Sequence, residues 1–203
     1  MFALVNKSDN SITRMYSGNQ GITIGDNQYP KAIFTLWSES ERNAINIYTV
    51  TIDDSKRKNQ QWYTNTDITY SFDGTNATGS YGDATAKAHA DTLFSAQDET
   101  DGLGTEGDVK TEGLKTILIR QVKNNAEREL NKTDWYVTRK AEKNTAIPSS
   151  ITTHRDAVRT KQASMETAIT NASDTPALET LYTYTRQEDG STTRPLGEIP
   201  ELN

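Results

Sequence analysis

TDWYVTRKAE, residues Thr133–Glu142, is the densest cluster of aromatic and charged residues in a chain that is otherwise rich in Thr, Asn and Ser. Before it, apolar residues recur at steps of three and four between Leu114 and Leu130, which predicts a helix with one buried face. After it, the pair Ile147-Pro148 interrupts the pattern, and Pro148 suits the first turn of a new helix. The stretch therefore lies at a predicted corner between two helices.

The corner can begin a helix of its own if a polar side chain caps the free backbone amides. Thr133 or Asp134 is suited to that cap. Trp135 and either Val137 or Thr138 would then turn toward the interior. A buried Trp135 predicts that Trp135→Ala costs about 3–5 kcal/mol, the usual range for deleting a buried aromatic ring.

The charged residues of the corner have a structural and a catalytic interpretation. Arg139 lies five residues after Asp134 and three before Glu142, and it can pair with either carboxylate. Catalysis would require a nucleophile or an activated base beside them, and the stretch offers neither. The pattern therefore favours a structural corner, and we assign no catalytic residue to it.

The segment after Pro148 carries a seven-residue repeat. Its positions are Ile151, Val158, Met165 and Ala172, with His154, Lys161 and Ala168 between them. This narrow, half-polar stripe is typical of a helix that packs along one seam. Neither His89 nor His154 has a neighbour at the spacing of a metal ligand or a catalytic triad, so packing or a subunit contact explains His154 better than catalysis.

The first part of the chain is predicted to be rich in β-strands. Apolar and β-branched runs occur at Phe2–Val5, Ile12–Tyr16, Ile45–Ile52 and within residues 62–81. The pair Asp73-Gly74 predicts a tight turn in an antiparallel meander, and Ser38 with Glu41 forms the pattern of a helix capping box. The fold class expected is α+β, a small antiparallel β-rich N-terminal module followed by a helical C-terminal module.

These patterns divide the chain into a β-rich module at 1–82, a helical module at 83–186 and a tail at 187–203. The helical module is expected to begin with an Ala-rich helix at Ala84–Ala96, followed by an acidic, glycine-rich loop at 97–108. From Arg186 the chain is polar and contains Pro195 and Pro200, which predicts an extended tail.

Composition limits the possible functions. Of the 203 residues 33% are hydrophobic, which suits small modules or a protomer that completes its core against a partner. The net charge of −6 is concentrated between Asp91 and Gly113, where seven acids face one base. No basic face is indicated, so nucleic-acid binding is disfavoured.

Several other classes of protein are excluded or disfavoured. No apolar run approaches the roughly 20 residues of a membrane span, and the N-terminal MFALVNKSDN does not have the pattern of a signal peptide. The sequence has no cysteine, which excludes disulfides and thiolate chemistry. It also lacks the common nucleotide-binding, zinc-protease and nucleophile-elbow motifs. We expect no enzyme, no cofactor and no membrane partner.

The acidic loop at 97–108 is the best metal candidate. With Gly102 at position six of a calcium loop, Glu99 and Asp101 occupy ligand positions three and five. The departures from that pattern are Gln97 at position one, Gly104 at position eight and Asp108 at position twelve. These departures favour a solvated connector over a cation site, and no metal ligand is assigned.

The aromatic residues of the first part offer a second candidate site. Trp37, Trp62, Tyr63, Tyr70 and Tyr81 could form a platform on which sugars stack. Aromatic residues on predicted strands are more often the packing of a small β-module, and this alternative is favoured.

The segment Leu130–Lys161, LNKTDWYVTRKAEKNTAIPSSITTHRDAVRTK, resembles a module that recurs in proteins of tailed bacteriophages. The matching positions are Leu130, Thr133, Asp134, Trp135, Tyr136, Val137, Arg139, Glu142, Ile147, Pro148, Arg155, Val158 and Arg159. One departure is Lys143–Thr145, where a Gly often occurs. The module is found in tail fibre assembly and tail-chaperone-like proteins and in tail-associated virion proteins, notably of phages that infect marine cyanobacteria.

The resemblance implies a non-enzymatic structural protein of the phage tail that links baseplate or tail to fibres. Such a protein would be made in the host cytoplasm and located in the tail of the virion. Its partners would be other tail, baseplate or fibre proteins and copies of itself, with a trimer expected because tail fibres are threefold. The alternatives are a fibre assembly chaperone absent from the mature virion and a module that binds receptors or glycans.

Overall fold

The computed structural model describes residues 1–202, with 37% helix and 23% strand. The chain divides into two compact units, Met1–Thr85 and a second that begins at Ala86. Strands dominate the first unit and helices the second. The predicted α+β class is therefore confirmed.

The first unit contains most of the strands. Its elements are β1 (Phe2–Asn6), β2 (Ser11–Tyr16), β3 (Ile22–Ile24), β4 (Asn27–Tyr29), a 3-10 helix (Lys31–Phe34), α1 (Glu39–Ala44), β5 (Ile47–Asp53), β6 (Tyr63–Thr64), β7 (Ile68–Phe72) and β8 (Ala77–Tyr81), with β9 (Thr85–Ala86) at the boundary. The capping box is confirmed, because Ser38 Oγ accepts a hydrogen bond from the Glu41 amide and Glu41 Oε2 accepts one from the Ser38 amide at 2.7 Å.

Five strands form one sheet in the order β2-β1-β5-β8-β7. One pairing differs from the predicted antiparallel arrangement, since β5 and β8 run parallel while the other neighbours are antiparallel. The chain between β5 and β8 is long enough for the crossover that a parallel pair requires. The edge strands β2 and β7 also contact each other, so the sheet curls toward a barrel.

Side-chain alternation along β1 divides the core of this unit into two clusters. On one face the buried residues are Ala3, Val5, Tyr48, Val50, Phe72 and Ala77. On the other face Phe2 and Leu4 pack against Ile22, Ile33, Phe34 and Ile47. The run Phe2–Val5 is apolar throughout because both of its faces are covered.

The second unit is mainly helical. Its elements are β10 (Thr92–Leu93), α2 (Ala96–Thr100), β11 (Val109–Thr111), α3 (Leu114–Asn131), α4 (Asp134–Lys143), α5 (Ser149–Asn171), α6 (Thr175–Tyr182), β12 (Thr185–Arg186) and β13 (Thr192–Thr193). The amphipathic helix predicted between Leu114 and Leu130 is confirmed as α3.

Helices α3 and α5 pack against each other and supply most of the core of the second unit. The four repeat positions Ile151, Val158, Met165 and Ala172 are all buried within the chain, as are Leu118, Val122 and Ala126 of α3. The seam of the heptad stripe is therefore filled by the protein's own helices. The stripe itself gives no reason to place a second subunit there.

The Ala-rich segment predicted as a helix at Ala84–Ala96 is not helical, and α2 begins only at Ala96. Instead, this segment accepts hydrogen bonds from backbone amides at the start of α3. The carbonyl of Ala88 accepts a hydrogen bond from the Leu114 amide at 3.0 Å, and the Asp91 carboxylate accepts one from the Gly113 amide at 2.7 Å. These long-range bonds outweigh the helix propensity of alanine.

The prediction of an extended tail at 187–203 is wrong over the part of it that the structure describes. Strands β12 and β13 pair as a hairpin. Beyond the hairpin, Leu196 is 2% exposed and its amide donates to the Leu181 carbonyl at 3.0 Å. The buried Leu196 side chain and this backbone bond hold the polar segment against α6.

Candidate functional site

The base of the corner is held by a buried arginine on α5. Arg155 is 9% exposed, and its Nη1 donates to the Leu130 carbonyl at 2.8 Å and to Thr133 Oγ1 at 2.7 Å. The same nitrogen lies 2.8 Å from Asp134 Oδ1. One guanidinium thus joins the end of α3 and the start of α4 to α5, and its burial is compensated by charge-assisted hydrogen bonds.

Thr133 contributes to this base but does not cap α4 with its side chain. Its hydroxyl is fully buried, donates to the Leu130 carbonyl at 2.9 Å and accepts from Arg155. No side-chain hydrogen bond caps the helix start. The predicted cap is wrong. The Thr133 hydroxyl is hydrogen-bonded to Leu130 and Arg155, and the Asp134 carboxylate is paired with Arg155, so neither accepts a hydrogen bond from the helix amides.

Most of the rest of α4 is exposed, while Tyr136 and Arg139 are half-buried. The helix contains no buried residue, and Trp135 and Val137 are 50% and 43% exposed. Thr138 is also exposed, so the predicted inward orientation of these side chains is wrong. Helix α4 packs on α3 and Arg155 of α5 binds Asp134, while the half-exposed Trp135 ring remains accessible to water.

Arg139 interacts with aromatic rings instead of the carboxylates predicted for it. Its guanidinium carbon lies 4.7 Å from the Trp135 ring centroid and 5.3 Å from that of Tyr136. The two rings are themselves 3.7 Å apart. The pairing of Arg139 with Asp134 or Glu142 is therefore wrong, because cation–π contacts hold the guanidinium and Asp134 is bound to Arg155.

One side of α4 combines these rings with positive charge. One side of the helix is formed by residues that are each three or four positions from another member of the set: Trp135, Tyr136, Arg139, Lys140 and Lys143. We call these five residues the aromatic–basic face. Lys140 is also bonded to Asn144 Oδ1 at 2.8 Å, and Asn144 ends the helix in the left-handed conformation with φ +53°.

The remaining residues of the predicted motif are dispersed. Leu130 is half-buried and Val158 fully buried, whereas Glu142 is exposed. Pro148 is exposed and precedes α5, where its carbonyl accepts from the Ile151 and Thr152 amides. Arg159 is exposed and lies 3.3 Å from Asp156. The structure thus separates the motif into a buried base and an exposed face.

Sequence reasoning missed a second buried polar cluster around Glu129 of α3. The Glu129 carboxylate is 5% exposed, accepts from the Leu202 amide at 2.7 Å and lies 3.1 Å from His154 Nε2. A hydrogen bond from Lys132 is the main cause that lowers the pKa of Glu129. The spacing of Glu129 and Lys132 was visible in the sequence, but the approach of Leu202 was not.

The other candidates are accounted for by packing and local hydrogen bonds. Trp62 and Tyr63 are 2% and 6% exposed, which leaves no open ring platform at these two positions. In the acidic loop, a hydrogen bond from Lys110 lowers the pKa of Asp98 to about 2. Among residues 1–202, no three His, Cys, Asp or Glu side chains form a group that could hold a metal ion.

The helices of the described residues include none that is both long and apolar enough to cross a membrane. Comparison of the chain with protein-family models, with curated proteins and with solved structures gives no match.

Proposed function

We propose that this chain is a non-enzymatic structural protein of a bacteriophage tail, which links baseplate or tail to fibres through contacts made by α4. The observation that carries the proposal is the exposure of the aromatic–basic face on a helix whose base is fixed by Arg155. A half-exposed tryptophan stacked with a tyrosine and an arginine has the composition of an interaction hot spot. The resemblance of Leu130–Lys161 to a phage tail module supplies the biological setting.

The arrangement suits docking better than catalysis or nucleic-acid readout. The Trp135 and Tyr136 rings contact each other, and Arg139 packs against them. The surface is therefore preorganised and loses little side-chain freedom on binding. Below the rings, Arg155 joins the start of α4 to α3 and α5. These are the properties that an assembly contact requires.

Quantitative mass spectrometry of purified virions tests the proposal. We expect the chain in mature particles at a fixed ratio to other tail proteins, and we expect Trp135→Ala to reduce its incorporation. A chain that is abundant in the lysate and absent from particles would contradict the proposal and favour an assembly chaperone.

Trp37→Ala is the matched control for the virion experiment, because Trp37 is a half-buried tryptophan of the first unit. We expect this variant, if it folds, to be incorporated as well as the unmodified chain. Equal loss of both variants would show that incorporation follows stability and not the α4 surface.

A further inference from the structure

The second unit exposes another surface, opposite in charge to α4. We call residues 92–111, which comprise β10, α2 and β11, the acidic hairpin. Its one base, Lys110, is bonded to Asp98 at 2.6 Å. Four further acids of the hairpin have no ion-pair partner within the part of the chain that the structure describes: Glu99, Asp101, Glu106 and Asp108.

The acidic hairpin also exposes apolar side chains. Leu93 and Val109 are 51% and 48% exposed and face each other across the β10–β11 pair. Leu103, within the same hairpin, is 62% exposed. The acidic hairpin is thus an apolar patch beside acids that have no ion-pair partner. The aromatic–basic face is complementary to it, because contact between the two surfaces would bury apolar area and bring opposite charges together.

We propose that the aromatic–basic face of α4 in one copy of the chain docks on the acidic hairpin of a second copy. The inference rests on the proposed function in that it takes α4 to be a protein-docking surface. Both surfaces are exposed within a single chain, so the contact forms between copies. Since each copy carries both surfaces, the contact forms either a twofold dimer, in which it occurs twice, or a head-to-tail ring when its rotation closes.

The chemistry of the contact predicts how it responds to salt. Exposed charge pairs are screened by ions, whereas the burial of Trp135 against Leu93 and Val109 is not. We expect association to weaken by about tenfold or more on addition of ~0.5 M NaCl, because several exposed pairs contribute.

Sedimentation velocity of the full chain over a range of concentrations tests the proposal. One variant reverses charge on α4, Lys140→Glu with Lys143→Glu, and another reverses it on the hairpin, Glu106→Lys with Asp108→Lys. We expect each variant to associate at least about tenfold more weakly than the unmodified chain, because like charges then face each other. A mixture of the two variants should associate again, because each offers the other a complementary surface.

The mixing experiment separates docking from misfolding, since a misfolded variant gains no partner by mixing. The matched control for the α4 variant is Lys7→Glu with Lys31→Glu, which changes the net charge by the same amount and in the same direction at exposed positions of the first unit and should associate like the unmodified chain.

Self-docking is overturned if the unmodified chain stays monomeric at about 100 μM in low salt, where contacts of this kind are strongest. Association that both reversals leave unchanged, or a mixture that fails to restore it, also overturns it. Self-docking is also overturned if the chain stays monomeric and binds single-stranded DNA through Lys140 and Lys143. If self-docking fails while Trp135→Ala still prevents incorporation into virions, the proposed function stands and α4 has a different partner.

Discussion

The two sides of the α4 corner invert the usual relation between polarity and burial. At the base a threonine is fully buried and an arginine is 9% exposed, whereas on the outer face a tryptophan is 50% exposed. The polar residues can be buried because Arg155, Thr133 and the Leu130 carbonyl satisfy one another. The corner therefore separates two parts of one short segment: a buried base that contributes to stability, and exposed rings that are available for the proposed contact.

Among the residues of the corner, the largest effect is expected from removing the buried guanidinium. Arg155→Met should lower the free energy of unfolding by about 2–4 kcal/mol, because hydrogen bonds to a charged group contribute about 1.5–3 kcal/mol each and do not add in full. Asp134 is 52% exposed and becomes solvated when Arg155 is removed, which limits the loss of stability. Chemical denaturation measures the change.

Arg159→Met is the control for this comparison, because Arg159 is on the same helix but exposed. It should change stability by less than about 0.5 kcal/mol. Equal losses in the two variants would show that Arg155 does not hold the base.

A smaller effect is expected at Thr133. Thr133→Val keeps the shape of the side chain but removes the hydroxyl that donates to Leu130 and accepts from Arg155. The expected loss is about 1–3 kcal/mol, the cost of leaving a buried group without its partner. A double-mutant cycle with Arg155→Met should show coupling; strictly additive losses would mean that the two residues act independently.

The second buried cluster adds a pH dependence. Because the pKa of Glu129 is lowered in the folded chain, chiefly by Lys132, its contribution is fully present above the unfolded value of about 4.3 and is lost as pH falls through the folded pKa. Melting temperatures measured from pH 7 downward should therefore fall less steeply in Glu129→Gln than in the unmodified chain. Glu127→Gln, at an exposed position of the same helix, should follow the unmodified curve; identical slopes for all three proteins would argue against this assignment.

The smallest effect on stability is expected where the sequence predicted the largest. Trp135→Ala should cost less than about 1 kcal/mol, because the ring is half-exposed and only its contacts with Tyr136 and Arg139 are lost. Trp62→Ala should cost about 3–5 kcal/mol, because that ring is buried. Comparable costs for the two variants would mean that Trp135 belongs to a core and not to a contact surface.

Sequence patterns predicted best where a local rule and the tertiary packing agree. The capping box of Ser38 and Glu41 requires only neighbouring residues, and α3 follows from its apolar spacing. The sequence patterns failed at Ala84–Ala96. Alanine favours a helix there, but hydrogen bonds from the Leu114 and Gly113 amides hold the segment in a non-helical conformation. Leu196 shows the same limit, since nothing in its polar surroundings indicates that it is buried.

The candidate site was predicted in composition but not in orientation. The sequence determined that a helix begins near Asp134, that it carries two rings and several charges, and that an α+β chain surrounds it, because helix spacing and strand alternation are local properties. The position of Arg155 below the corner and the outward orientation of Trp135 follow only from the folded chain. The reason is physical: the side of a short helix that becomes buried depends on which distant elements reach it, and those contacts are made by residues far apart in the chain.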